Sequence, residues 1–297
     1  MQSDVAAKSS IGLMNKLKDY AQLTKPNLSL MVVFSSVIGY LLAPNATFDF
    51  YKLLLLFIGG FLVTGSANSI NQIIEKESDR FMKRTANRPL SGRRMQSDEA
   101  WVFTVLTGVA GVALLSFEFN WVAGLVSAIS LLIYGFAYTP LKKNNSIAVL
   151  VGAIPGALPP LIGWSAATGG LEFGAWYLFT VQFFWQFPHF WAIAWVGFED
   201  YEKAGIRMLP SKAGKTRFTG LQCMLYSLVL IPLAIMARGI QMTGNVGMTV
   251  MILCGVLYFV ASVAFYIKND FKSAKRVMFA SFLYLPVVLL ALLMDKL

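Results

Sequence analysis

Charge is scarce in this sequence. Only 13% of its 297 residues are Asp, Glu, Lys or Arg, while 57% are hydrophobic and the mean hydropathy is +0.62. A soluble domain carries about 25% charged residues, so a water-soluble globule is excluded and an all-α integral membrane protein is predicted. Cysteine is nearly absent. Cys223 and Cys254 both sit within apolar runs, which leaves no disulfide framework and no cysteine-rich metal site. His189 is the single histidine. The first 26 residues hold neither the short apolar core of a secretory signal nor the Arg-rich pattern of a transit peptide. A bacterial cytoplasmic (inner) membrane is therefore the expected location.

What the sequence has in abundance is long apolar runs. Stretches of about 20 such residues lie near 27–44, 51–73, 100–117, 121–138, 146–166, 174–197, 218–237, 247–267 and 277–294. Nine transmembrane helices in one bundle are expected over residues 27–297, preceded by a cytoplasmic N-terminal tail over 1–26. The net charge of +10 follows the topology rather than a nucleic-acid partner. Of the 25 basic residues, 22 fall in the tail and in the loops after even-numbered spans, leaving Lys52, Arg238 and Lys296 opposite. The tail contributes Lys8, Lys16, Lys18 and Lys25. The positive-inside rule then predicts a cytoplasmic N-terminus and an outer C-terminus. Gly and Pro recur inside the spans, as in "GAIPGALPPLIGW" (152–164), where neighbouring helices must satisfy the backbone groups that proline frees.

The charge that remains is concentrated. "NQIIEKESDRFMKRTANRPL" (71–90) places Asn71, Glu75 and Asp79 at i, i+4 and i+8. A continuing helix turns 400° over four residues, so these groups climb one face with a drift of about 40° per step. An amide oxygen and two carboxylates are hard ligands suited to magnesium, which takes one or two carboxylates together with substrate phosphates. Arg84 and Arg88 just downstream suit the phosphates themselves. The same spacing also occurs on solvated helix ends relieved by neighbouring bases. A second acidic cluster, Glu199, Asp200 and Glu202 in "FEDYEKAGIRMLP" (198–210), falls on the same side of the membrane. Two such clusters suggest two metal sites flanking one diphosphate.

Tyr138 and Lys142 are four residues apart in "YGFAYTPLKK" (134–143), followed by Lys143. They read either as a phosphate contact with a hydrogen-bond donor at a leaving group, or as an interfacial Tyr beside a snorkelling Lys. Pro140 disturbs the helix between them. His189 lies among aromatics in "FWQFPHFW" (184–191), at a depth where an ionisable group is a functional candidate. It would ligate haem iron, hydrogen-bond a substrate, or rest as a neutral ring paired with Gln186 or a backbone carbonyl.

Taken in order, these segments resemble the protohaem IX farnesyltransferase (haem O synthase) branch of the UbiA-type intramembrane prenyltransferases. The matching stretches are residues 71–90, "YTPLKKNNSIAVLVGAIPGALPPLIGW" (138–164) and "QFPHFWAIAWVGFEDYEKAGIRMLP" (186–210), and the order holds from "TKPN" (24–27) to "YLP" (284–286). The resemblance implies a nine-helix bundle with a cytoplasmic-side cavity. It implies a magnesium-dependent transfer of the farnesyl group of farnesyl diphosphate to a vinyl group of haem B, with water addition, giving haem O. Haem B is then a substrate rather than a cofactor, and haem A synthase or a terminal oxidase is the implied partner. Residue by residue, Asn71, Glu75 and Asp79 match the family's Asn-x-x-x-Asp-x-x-x-Asp metal motif, with Glu in place of the middle Asp. Glu199 and Asp200 match its second acidic region without that region's usual Asp-x-x-x-Asp spacing. Asn27 stands where relatives often carry a base and receives no role. Competing expectations are a prenyltransferase for a quinone precursor such as 4-hydroxybenzoate, a transporter, and a structural oxidase subunit.

Overall fold

The computed structural model describes residues 2–44, 46–143 and 145–297, with backbone alone for residues 2–11 and 13. Lys8, counted above among the basic residues of the tail, therefore lies outside the described side chains. Among the described residues the chain is helical without strands. α1 (Gln2–Thr24) and α2 (Pro26–Leu42) are followed by α3 (Phe50–Asp79), α4 (Ser97–Glu118) and α5 (Trp121–Leu132). α5 runs through a π-helical stretch, Ile133–Tyr138, into α6 (Thr139–Leu141). Then come α7 (Ala148–Thr168), α8 (Phe173–Val196), the short α9 (Phe198–Lys203), α10 (Arg217–Gly239), α11 (Asn245–Lys268) and α12 (Phe271–Met294).

Seven of these helices are long and apolar enough to cross a bilayer, and the bent pair Met14–Thr24 and Pro26–Leu42 makes up to eight among the described residues. α8 spans 24 residues, but Gln182, Gln186 and His189 lower its hydropathy. The chain is thus a multi-pass membrane protein. Every expected apolar run coincides with a helix, and α3 extends past its run, ending at Asp79 rather than near 73. Residues 2–24 form a helix, so the polar tail has regular structure.

α2 packs on α3 and α7, α3 on α4, α7 on α5 and α8, and α8 on α10 and α12, while α12 returns to α2. Small residues make the closest approaches, as expected where lipid gives no hydrophobic drive between helices. At the α2–α7 crossing, a Cβ on Gly163 would overlap the Ser36 carbonyl, and one on Gly39 would overlap Pro160. Gly163→Val is expected to separate these helices at a cost of roughly 1–3 kcal/mol, the usual scale of overpacking. A lowered thermal midpoint in detergent, with Gly239→Ala as a surface control where an added Cβ meets nothing, checks it.

α7 carries Pro155, Pro159 and Pro160. Each proline lacks the N–H that would reach four residues back. Pro159 frees the Pro155 carbonyl, which accepts from Ser130 Oγ at 3.3 Å. Pro160 frees the Gly156 carbonyl, which accepts from Gln182 Nε2 at 2.8 Å. The membrane thus has no unpaired backbone acceptor at either place, and α5, α7 and α8 are locked around a central space.

Candidate active site

Asn71, Glu75 and Asp79 occupy the last turns of α3 and are only 2%, 3% and 1% exposed. They are not solvated charges at a helix end. Asn71 Nδ2 donates to Glu75 Oε2 at 2.7 Å, and Asn71 Oδ1 accepts from Lys25 Nζ at 2.7 Å. The other oxygen of Glu75 meets Lys142 Nζ at 2.7 Å. Asp79 Oδ2 pairs with Arg88 Nη1 at 2.7 Å, while its Oδ1 is buried with no partner among the described residues. Two carboxylates and three basic side chains are therefore drawn into one low-dielectric cluster, where unpaired charge is costly.

Local structure explains each arm. The segment after α3 folds back on itself: Thr85 Oγ1 donates to the Asp79 carbonyl at 2.9 Å and Ser91 Oγ to the Thr85 carbonyl at 2.8 Å. That tight turn returns Arg88 to Asp79. Arg94 ties the same segment to α1 through Asp19 at 2.9 Å. α1 in turn is pinned to α3, with Gln72 Nε2 donating to the Gln22 and Leu23 carbonyls at 2.8 and 3.0 Å. Between α1 and α2 the chain bends by 48°. Lys25 stands at that bend with φ 48°, ψ 67°, a left-handed conformation before Pro26 that costs strain. The bend turns its side chain onto Asn71.

Tyr138 closes the π-helical stretch. Pro140 withholds its N–H from the turn above, and Thr139 Oγ1 donates to the Tyr134 carbonyl at 2.8 Å. The extra residue per turn departs from the regular i, i+4 helix assumed above, yet phenol and ammonium still meet: Lys142 Nζ lies 4.8 Å from the Tyr138 ring centroid. The ring packs so closely on α7 that a Cβ at Gly152 would come within 2.6 Å of it. Burial works against the Lys142 ammonium, but the Glu75 carboxylate more than offsets it, and the lysine pKa stands above its ordinary value. Lys142 is a fixed cation.

Not every expected residue joins this cluster. Arg84 and Lys143 are exposed, with no side-chain partner among the described residues. Glu199 and Asp200 lie on α9, the first exposed and the second half-buried, and neither carboxylate makes an ion pair or hydrogen bond among the described residues. The segment after α9 does reach the site, since the Arg207 N–H donates to the Lys142 carbonyl at 2.9 Å. Among the described residues no three His, Cys, Asp or Glu side chains group to hold a metal by themselves. Magnesium does not need them to, because it completes its shell with phosphate oxygens and water. The orphaned Asp79 Oδ1, with the oxygens of Asn71 and Glu75, fits that requirement.

Directly against the cluster lies a cavity of about 450 Å3, bounded by α2, α3, α5, α7, α8 and α12. This is within the range of roughly 300–1,000 Å3 typical of small-molecule sites. Asn68, one turn before Asn71, lines it with Tyr134 and Tyr138, while Trp185 and Phe190 furnish aromatic walls. His189 lines it too, with Nδ1 paired to Ser281 Oγ at 2.8 Å instead of to Gln186 or a backbone carbonyl. Charge sits at one end and apolar walls beyond it. An arrangement of this kind accepts an anionic head and an apolar chain.

Lys25 went unassigned in the sequence, counted only toward topology. The signal available was its place immediately before Pro26, in the quoted "TKPN".

The sequence and fold have clear relatives. Residues 32–285 match the UbiA prenyltransferase family. A protein named protoheme IX farnesyltransferase in Cytophaga hutchinsonii is 45% identical, over 96% of this chain and 99% of its own length. One of the same name in Flavobacterium johnsoniae is 39% identical over 98% of each. Among solved structures, a digeranylgeranylglyceryl phosphate synthase superposes with a TM-score of 0.79 at 23% identity, covering 95% of this chain and 98% of that one. A UbiA homologue from Archaeoglobus fulgidus bound to GPP and Mg2+ gives 0.66 at 15% identity, covering 92% and 99%.

Proposed function

The chain belongs to the UbiA prenyltransferase family, and from that premise we infer the reaction that its buried cluster and cavity carry out. It is a farnesyltransferase of the haem pathway, moving the farnesyl group of farnesyl diphosphate to a vinyl group of haem B, with addition of water, to give haem O and diphosphate. The observation that carries the mechanism is the juxtaposition of the α3 stripe, buried with its cations, and the apolar cavity against it.

The diphosphate sits against Lys142, Arg88 and Lys25, with Arg84 and Lys143 free to reach its outer oxygens. Asn71, Glu75 and Asp79 would hold magnesium, with Glu199 and Asp200 as ligands of a second ion, and the metal supplies neutralisation of charge on the leaving diphosphate. Lys142 and Arg88 add fixed positive charge where negative charge develops as the C–O bond breaks, and Lys25 adds an N–H donor beside them. The farnesyl chain extends into the cavity. There Tyr134, Tyr138 and Trp185 offer π-faces to the allylic cation and keep water from it until the vinyl carbon attacks. The Tyr138 hydroxyl serves the leaving oxygen as a hydrogen-bond donor. His189 contacts the haem. Water then adds to the cation left on the vinyl group and gives up a proton to the released diphosphate or to solvent, which leaves the hydroxyethyl link, and no residue becomes covalently bound.

α8 counts as a span despite its polar residues, which with the bent pair makes nine. The distribution of 22 basic residues supports a cytoplasmic N-terminus, a cavity opening toward the cytoplasm and an outer C-terminus, in a bacterial inner membrane. Haem A synthase or a terminal oxidase is the expected recipient of the product.

Purified protein given haem B, farnesyl diphosphate and magnesium is expected to form haem O, identified by mass. Chelation with EDTA should abolish the product and added magnesium restore it. Substitution of 4-hydroxybenzoate for haem B should give no prenylated product. Prenylation of the benzoate with haem B left unchanged would instead identify a quinone-pathway enzyme.

A further inference from the structure

The imidazole of His189 lines the cavity and is left unused by the diphosphate cluster. It stacks on Trp185 with ring centroids 4.8 Å apart, and the rings of Phe190 and Phe282 stand edge-on to it at 5.5 and 5.3 Å. Trp185 is itself anchored, its indole N–H donating to the Ser281 carbonyl at 2.8 Å. One residue of α12 therefore fixes both rings.

The hydrogen bonds also set the tautomer. Ser281 Oγ lies 2.6 Å from the Met278 carbonyl, which can only accept, so the serine hydroxyl donates there. Its lone pair is left to accept from His189 Nδ1–H at 2.8 Å. In the neutral ring that an apolar wall favours, Nε2 then carries no proton, and it makes no hydrogen bond among the described residues. A neutral ring with a bare Nε2, on the wall of an apolar cavity, is a poised ligand in search of an acceptor.

We propose that His189 Nε2 is the axial ligand to the iron of the porphyrin acceptor, and that Ser281 is the residue that positions it. This rests on the haem-acceptor reading above. Metal-ligating imidazoles commonly donate their second ring N–H to a neighbouring oxygen, which fixes the ring and raises the basicity of the ligating nitrogen. A neutral imidazole is a common protein ligand of haem iron. An ionisable side chain within a bilayer is costly unless it has such a task. His189 and Tyr138 line one cavity. A porphyrin held at Nε2 would share that cavity with a prenyl chain held beside Tyr138. The bond to iron forms and breaks without electron transfer, and no bond of the prenyl transfer is made to the metal.

The test adds haem B to the full-length protein in lipid nanodiscs, without farnesyl diphosphate, and reads absorption and resonance Raman spectra. Wild type and Asp79→Ala should both show imidazole-ligated iron, although the second is inactive. His189→Ala should lose that signature, and His189→Met should replace it with a thioether-type spectrum, which also shows that the variant is folded. Ser281→Ala should keep the ligand but bind haem B several-fold more weakly. Unchanged spectra in both His189 variants, from protein that still converts haem B to haem O, would overturn the ligation alone. Wild-type protein that neither binds nor converts haem B would overturn the haem-acceptor reading together with it.

Discussion

An Asp79→Ala protein is expected to insert, fold and bind haem B while forming haem O at least about 10^2–10^3-fold more slowly, the scale seen when one preorganised electrostatic group is removed from an active site. Asp79 is 1% exposed and one of its oxygens has no partner among the described residues, which is unfavourable for folding alone. Removing it takes away a ligand and releases Arg88 from its 2.7 Å pair. Arg88 retains 17% side-chain exposure and can turn to solvent, so the structural penalty stays small. The defect should appear in kcat at saturating farnesyl diphosphate, measured by product mass. Asp79→Glu should recover part of the rate because Glu75 already shows that the longer acid fits this stripe.

The second large effect concerns stability. Lys142→Met leaves the Glu75 carboxylate buried with one cation fewer, and breaking a buried pair in this way costs about 3–5 kcal/mol. Glu75→Gln leaves Lys142 stranded in the same manner. The double variant removes both charges and should regain most of the lost thermal stability, because a buried pair replaced as a whole is often neutral. It should nevertheless remain inactive, having lost a metal ligand and a diphosphate contact. Thermal unfolding of the two single variants and the double variant completes the cycle. Additive losses would mean that the 2.7 Å contact contributes nothing to folding.

How much of this was legible in the sequence follows from the range of each interaction. The helices were readable because each apolar run reports its own burial in lipid. The α3 stripe was readable because its members are fixed by one helix period, and Glu75 and Asp79 stand out where charge is rare. Arg88 was expected at a phosphate, and its pairing with Asp79 was not legible, since that depends on the turn built by Thr85 and Ser91. Lys25 was marked only by its place before Pro26. Its role needs a left-handed residue between two helices and the docking of α1 on α3, both set by tertiary contacts. The π-helical stretch before Tyr138 was equally hidden: Pro140 announces a disturbance, but its form depends on how Tyr138 seats against Gly152. The tautomer of His189 required Ser281, 92 residues away.

The most direct measurement is a crystal or cryo-EM structure with a non-hydrolysable farnesyl diphosphate analogue and manganese, whose anomalous signal locates the metal. The account predicts manganese within bonding distance of Asp79 and Glu75, the diphosphate against Lys142 and Arg88, and the prenyl chain between Tyr138 and Trp185. Metal and diphosphate bound elsewhere, with the Glu75–Lys142 and Asp79–Arg88 pairs intact and the cavity empty, would contradict it.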